Sequence, residues 1–205
     1  DGAHLRAIHG HLFQDVYEWA GEYRTVNMSK GPGRGFGDVK TGEVDRYLSD
    51  VQQLVTSTDW GKLSRNDFIA TASTVFAYVN QAHPFREGNG RTSKVFMAHV
   101  AEQSPYRFDF ARVSPEQWNA GSALSRPDLY AYAPDPTSLV PVFAAVTVER
   151  SAPQAGPDRA AQVRSALSAS YPRSAADATR QTPQQGTQAR RGTAGYRSGR
   201  GSGRE

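Results

Sequence analysis

The chain has 205 residues, a formal net charge of +4 and no cysteine, enough for one domain with its own core and excluding a disulfide framework or a cysteine-based zinc site. No run of about 18 apolar residues occurs, so no transmembrane helix is expected, and the opening DGAHLRAIHG lacks the charged-then-apolar layout of a signal peptide. These features point to a cytoplasmic protein, and a first residue Asp1 rather than Met reads as a fragment.

In chain order, HLRAIHGHLFQDVYEWA places Leu5, Ile8, Leu12, Val16 and Trp19 at spacings of three and four, which predicts an amphipathic helix that stops near Gly21. EYRTVNMSKGPGRGFGDVKTG follows, and its five glycines from Gly31 to Gly42 predict a mobile β-hairpin flap. EVDRYLSDVQQLVTS and SRNDFIATASTVFAYVNQA are two further helices, the second with Ser64 as N-cap. TSKVFMAHVAEQ, SPEQWNAGSAL with Ser114 and Pro115 at its start, and a last segment from about Thr137 with Pro141 in its first turn complete a mainly α-helical domain over residues 1–150. Residues 151–205 carry nine Arg against two Asp and one Glu, and hold none of the Phe or Trp. This composition predicts a disordered basic tail, with a transient helix at 160–170.

HPFREGNGR, residues 83–91, falls between two of these helices. The start of a helix offers unpaired N–H groups and a positive dipole end to an anion. Gly88 and Gly90 let backbone approach that anion, and Arg91 can hold a phosphate through two nitrogens. Glu87 can bind a Mg²⁺ that also takes phosphate oxygens, and His83 can accept a proton. Each part has a plainer reading: a structural histidine, a Gly-Asn-Gly loop that only ends a helix, and a Glu87–Arg91 ion pair one turn apart. Their joint occurrence in nine residues favours a nucleotide site with a base beside it, with Phe85 as a core peg. The stretch GNGRTSK does not satisfy the P-loop pattern, and the glycines at 31, 33, 35, 37 and 42 do not satisfy the dinucleotide fingerprint.

The nine residues resemble the signature of Fic domains, His-Pro-Phe-x-(Asp/Glu)-Gly-Asn-Gly-Arg-x-x-Arg, and VYEWAGEYRTVNMSKG resembles the Fic segment that leads into the flap. The resemblance covers roughly residues 4 to 145. It implies a helical enzyme that transfers AMP from ATP to a Ser, Thr or Tyr hydroxyl of a target protein, releasing pyrophosphate. It implies His83 as base, Glu87 as the Mg²⁺ ligand, and Gly88, Asn89 and Gly90 as the lining of the anion-binding turn, with Asn89 near the α-phosphate. Arg91 would hold the β-phosphate, and the flap, with Met28, Ser29, Lys30, Gly31, Gly33, Gly35 and Phe36, would dock the target as an added strand. Lys94 stands where the family usually has the arginine for the γ-phosphate, which leaves a point charge in place of a fork.

Many Fic proteins are restrained by a helix bearing Ser/Thr-x-x-x-Glu-Gly/Asn. Here only Glu87 is followed by Gly or Asn, and His83 rather than Ser or Thr precedes it by four. The resemblance therefore implies a toxin restrained by a small antitoxin-like partner or by a segment before Asp1. The second expectation, of a different class, is a weakly active or inactive nucleotide-binding module whose basic tail contacts an acidic partner. With only Tyr171 and Tyr196 among the tail's arginines, nucleic acid is the weaker partner, and no membrane role is expected.

Overall fold

The computed structural model describes residues 1–31 and 34–150. The tail expected over 151–205, its helix at 160–170 and the flap glycine Gly33 lie outside them. Helices dominate: α1 Gly2–Phe13, α2 Glu43–Ser57, α3 Arg65–Ala82, α4 Asn89–Ala101, α5 Pro115–Leu124 and α6 Val140–Val146, with short 3₁₀ turns at Trp60–Lys62 and Phe110–Arg112.

α3 is the central element. Ser64 accepts from the Asp67 N–H to start it, and Phe68, Ala72, Val75, Phe76 and Val79 are buried along it. It packs on α2, α4 and α6, while α1 lies against α4. The core between α3, α5 and α6 is aromatic: Phe76, Trp118 and Phe143 meet with centroids 4.8–5.6 Å apart. Burying one such side chain stabilises the fold by roughly 1.5–3 kcal/mol. Ser114 and Gln117 form the capping box that begins α5.

Three expectations change. The first helix ends at Phe13, well short of Gly21. The N–H groups of Val16 and Tyr17 both turn back to the Phe13 carbonyl, which leaves Val16 exposed. That turn carries Trp19 and Gly21 back to the buried ring of His9, which a continued helix would not. The last helix starts at Val140 rather than near Thr137 and gives way to a strand, β2 (Thr147–Glu149), antiparallel to β1 (Tyr106–Phe108). The β-branched Thr147 and Val148 favour extended backbone there. This two-stranded sheet is not the flap: among the described residues the flap holds no strand, and one backbone–backbone bond, Phe36 N–H to the Met28 carbonyl at 3.0 Å, joins its arms, with the Asn27 side chain bonded to Asp38 and Val39 at the base. Its glycines, including Gly31 at φ 72, favour turns over paired strands.

Candidate active site

α3 ends in a left-handed cap at His83, at φ 41, and α4 starts five residues later from Gly88, at φ 81. Between them Phe85 is buried, as a core peg should be. The side chain of Asn89 closes this loop: Oδ1 accepts from the Phe85 N–H at 2.9 Å and Nδ2 donates to the Phe85 carbonyl at 2.7 Å. Both ends of the amide thus shape the turn. α4 has no side-chain cap from its N-cap residue; the Gly88 N–H is taken by Glu87 Oε1 at 3.0 Å, and the N–H groups of Asn89 and Gly90 that follow suit an anion.

The two glycines differ. A Cβ on Gly88 would sit 2.5 Å from the ring of Phe13, at a positive φ, so glycine is dictated by packing there. A Cβ on Gly90 would meet nothing within 4 Å. Gly90 instead faces open space in a cavity of about 510 Å³ that is also lined by His83, Glu87, Asn89 and Lys94.

His83 stacks on Phe36 of the flap, centroids 3.7 Å apart and planes 9° from parallel. Its Nδ1 is buried without a hydrogen-bond partner among the described residues. Burial first, then the charges of Lys30 and Arg24, lower its pKa from 6.5 to about 3, and the Asn80 backbone only partly opposes them. His83 is therefore neutral at physiological pH. Among the described residues the cavity wall adds Lys30, Arg86, Lys94 and Arg126 against the single carboxylate of Glu87, a balance that suits a polyanion. The hydroxyl of Thr92, buried in the same wall, also has no hydrogen-bond partner among the described residues.

Of the other expected residues, Met28, Lys30 and Phe36 reach this cavity, while Ser29 and Gly35 line a second hollow beside the flap with Met28 and Phe36. Arg91 lays its guanidinium over the Phe13 ring at 4.4 Å. Lys94 is 2 % exposed, its Nζ 4.5 Å from the Trp118 ring and 5.3 Å from that of Phe110. Burial lowers its pKa to about 8.

Three contributors were not legible as such in the sequence. Arg24 is buried and donates to the carbonyls of His83, Ala82, Val26 and Gly37, tying the end of α3 to the flap's base. Arg126, just after α5, donates to the Lys30 and Arg34 carbonyls and holds the flap's arm. His9 joins α1 to the loop: Gly21 N–H donates to its Nδ1, and its Nε2 lies 3.1 Å from the Glu87 carbonyl. Arg24 stands in the flap-leading segment quoted above, but nothing in its spacing distinguishes it from a solvated arginine.

No group of three His, Cys, Asp or Glu side chains could hold a metal ion among the described residues. Glu87 alone, an exposed carboxylate at the cavity wall, fits a hard cation that brings phosphate oxygens as its other ligands.

Residues 1–101 match the Fic/DOC family. The chain is 36 % identical over 121 residues to y4lH of Sinorhizobium fredii, a probable protein adenylyltransferase, covering 58 % of this chain and 61 % of that protein. It is 35 % identical over 123 residues to the protein adenylyltransferase VbhT of Bartonella schoenbuchensis, covering 60 % of this chain and 25 % of that one. The N-terminal Fic domain of a VirB-translocated Bep effector protein of Bartonella quintana, solved with bound ADP, superposes with a TM-score of 0.64 at 28 % identity, over 73 % of this chain and 74 % of that one. The chain thus spans about three fifths of the length of the first relative and a quarter of the second.

Proposed function

Residues 1–101 belong to the Fic/DOC family, and on that premise we propose that the chain is a protein adenylyltransferase, moving AMP from ATP to a Ser, Thr or Tyr hydroxyl of a target protein. The observation that carries this reading is the meeting of a neutral His83 with the uncapped start of α4 in one cationic cavity under the flap. The target hydroxyl oxygen attacks the α-phosphorus, the bond from that phosphorus to the bridging oxygen of the β-phosphate breaks, and pyrophosphate leaves. His83 takes the hydroxyl proton. Such transfers need positioning and charge stabilisation more than covalent help from the protein. The N–H groups opening α4, beside Gly88, Asn89 and Gly90, hold the α-phosphate. Arg91 and Lys94 serve the outer phosphates, Arg91 by leaving Phe13. Glu87 would hold Mg²⁺, which supplies charge neutralisation on the phosphates when bound.

Met28–Lys30 and Gly35–Phe36 present the target with backbone and the Phe36 ring, and the target segment adds as an extended strand. Residues 1–150 form the catalytic unit in this reading, and the protein acts in the cytoplasm of its own or a recipient cell. No helix among the described residues is long and apolar enough to cross a membrane. Restraint comes from a small partner protein that places a glutamate against Lys94, since the chain itself carries no Ser/Thr-x-x-x-Glu-Gly/Asn pattern. Expression of the chain with and without such a partner, beside the His83→Ala form, tests this: growth equal in all three, with soluble protein in each, refutes the toxin role.

The transfer itself is tested with ATP labelled at the α-phosphate, Mg²⁺ and a bacterial lysate. A labelled protein band that is lost with His83→Ala is expected. Label that persists undiminished in that variant contradicts the reading.

A further inference from the structure

We propose that His9 is a positioning residue for the Glu87 turn and that its Nε2–H tautomer fixes where the Glu87 carboxylate stands. The proposal rests on the nucleotide-site reading above and goes beyond it to a residue in α1.

The tautomer follows from geometry. The Gly21 N–H can only donate, and it donates to His9 Nδ1 at 2.8 Å. Nδ1 therefore carries no proton, so Nε2 does, and Nε2 donates to the Glu87 carbonyl at 3.1 Å. The ring is fully buried and stacked on Phe85, centroids 3.9 Å apart. One face thus supports Phe85, while the ring edge holds the peptide of Glu87. The next residue is pinned as well, because a Cβ on Gly88 would lie 3.3 Å from His9 Nε2 and 2.5 Å from Phe13. The Glu87 carboxylate folds back on this fixed backbone, its Oε1 accepting from the Gly88 N–H at 3.0 Å.

Packing alone does not require a histidine. A phenylalanine would fill the same space between Phe13, Trp19 and Phe85. It would leave the Gly21 N–H and the Glu87 carbonyl without the ring's two bonds, and the Glu87 turn would lose its hydrogen bond to α1. Groups that hold a metal-binding residue in place typically change metal affinity when removed.

The test uses the full chain and ATP binding by calorimetry with and without Mg²⁺. His9→Phe keeps the ring and loses both bonds. His9→Gln places an amide N–H near Nε2, and His9→Asn places an acceptor near Nδ1. His9→Phe and His9→Asn should weaken Mg²⁺-dependent ATP binding by about 10–100-fold, while His9→Gln stays much closer to the parent. In a Glu87→Ala background His9→Phe should cost little more, because its effect runs through Glu87. Parent-like binding by His9→Phe overturns the proposal, as does an equal loss with and without Glu87. Should His9→Phe fail to fold, the Gln and Asn variants and the ring's ¹H–¹⁵N correlations decide, a proton found on Nδ1 refuting it. A parent chain that binds no ATP would instead refute the nucleotide reading itself, while the ring correlations would still judge the His9 contact.

Discussion

The Arg24 side chain donates from Nε to the carbonyl oxygen of His83 at 2.8 Å, and the Arg24 N–H donates to the carbonyl of Pro84 at the same length. Two consecutive carbonyls of the signature loop therefore hang on one arginine. This matters because His83 is a non-glycine residue at positive φ, a conformation that persists only where its surroundings hold it. The proposed base is aimed by backbone that Arg24 fixes.

Arg24→Lys keeps the charge and loses the fork. The buried carbonyls of Ala82, His83 and Gly37 cannot all be served by one ammonium. A loss of about 2–4 kcal/mol is expected, read as a lower midpoint in urea, together with slower transfer at saturating ATP. An unchanged midpoint with unchanged transfer refutes the role.

His83→Ala should lower transfer by about 10²-fold or more while ATP binding survives. The pH dependence has a defined sign. The folded pKa, about 3, lies below the ordinary 6.5, so the unfolded chain takes up the proton first. Stability is therefore lost as pH falls from about 6.5 towards 3, and His83→Asn should lose less over that window. In the free enzyme, kcat/KM should show no acid limb from His83 between pH 5 and 8. A limb near 6.5 that disappears with the residue would contradict the burial seen here.

The paired glycines make opposite forecasts. Gly90→Ala meets open space on helical backbone and should raise stability by about 0.5–1 kcal/mol. The added methyl projects into the cavity, so ATP binding should weaken. Gly88→Ala forces a Cβ against Phe13 at positive φ, and thermal unfolding should come earlier even without nucleotide. Normal ATP binding by Gly90→Ala would remove the start of α4 from the site.

How much of this was legible in the sequence varies with the range of the interaction. α2, α3 and α5 declared themselves through local signals, apolar spacing and the caps at Ser64 and Ser114, and the cavity's His83, Glu87 and Gly90 stood in one contiguous stretch. The end of α1 did not, because the turn after Phe13 is set by a contact between His9 and Gly21 twelve residues apart. Spacing predicted that Val16 would be buried, and tertiary structure exposed it. β1 and β2 were missed for the same reason: two three-residue strands gain meaning only from each other, across some forty residues. Arg24 and Arg126 act through backbone carbonyls, which leave no sequence trace. Asn89 was read as a phosphate neighbour, and its side chain turns out to brace Phe85.

Lys94 gives the last test. Its ammonium rests on Trp118 and Phe110 without an ion pair among the described residues. The folded pKa of about 8 lies below the ordinary 10.5, so the unfolded chain holds this proton more tightly. The parent should then gain stability over Lys94→Met as pH rises from about 8 to 10.5, by at most about 3 kcal/mol. Comparing the two chains cancels the tyrosines that titrate in the same range. For nucleotide, the aromatic seat competes with the terminal phosphate for one point charge. Lys94→Arg can keep its plane on Trp118 and offer a fork, and it should tighten ATP binding while leaving ADP nearly unchanged. Lys94→Met should weaken ATP more than ADP. Calorimetric titration of both nucleotides into the three chains decides this, and equal effects on ATP and ADP would detach Lys94 from the terminal phosphate.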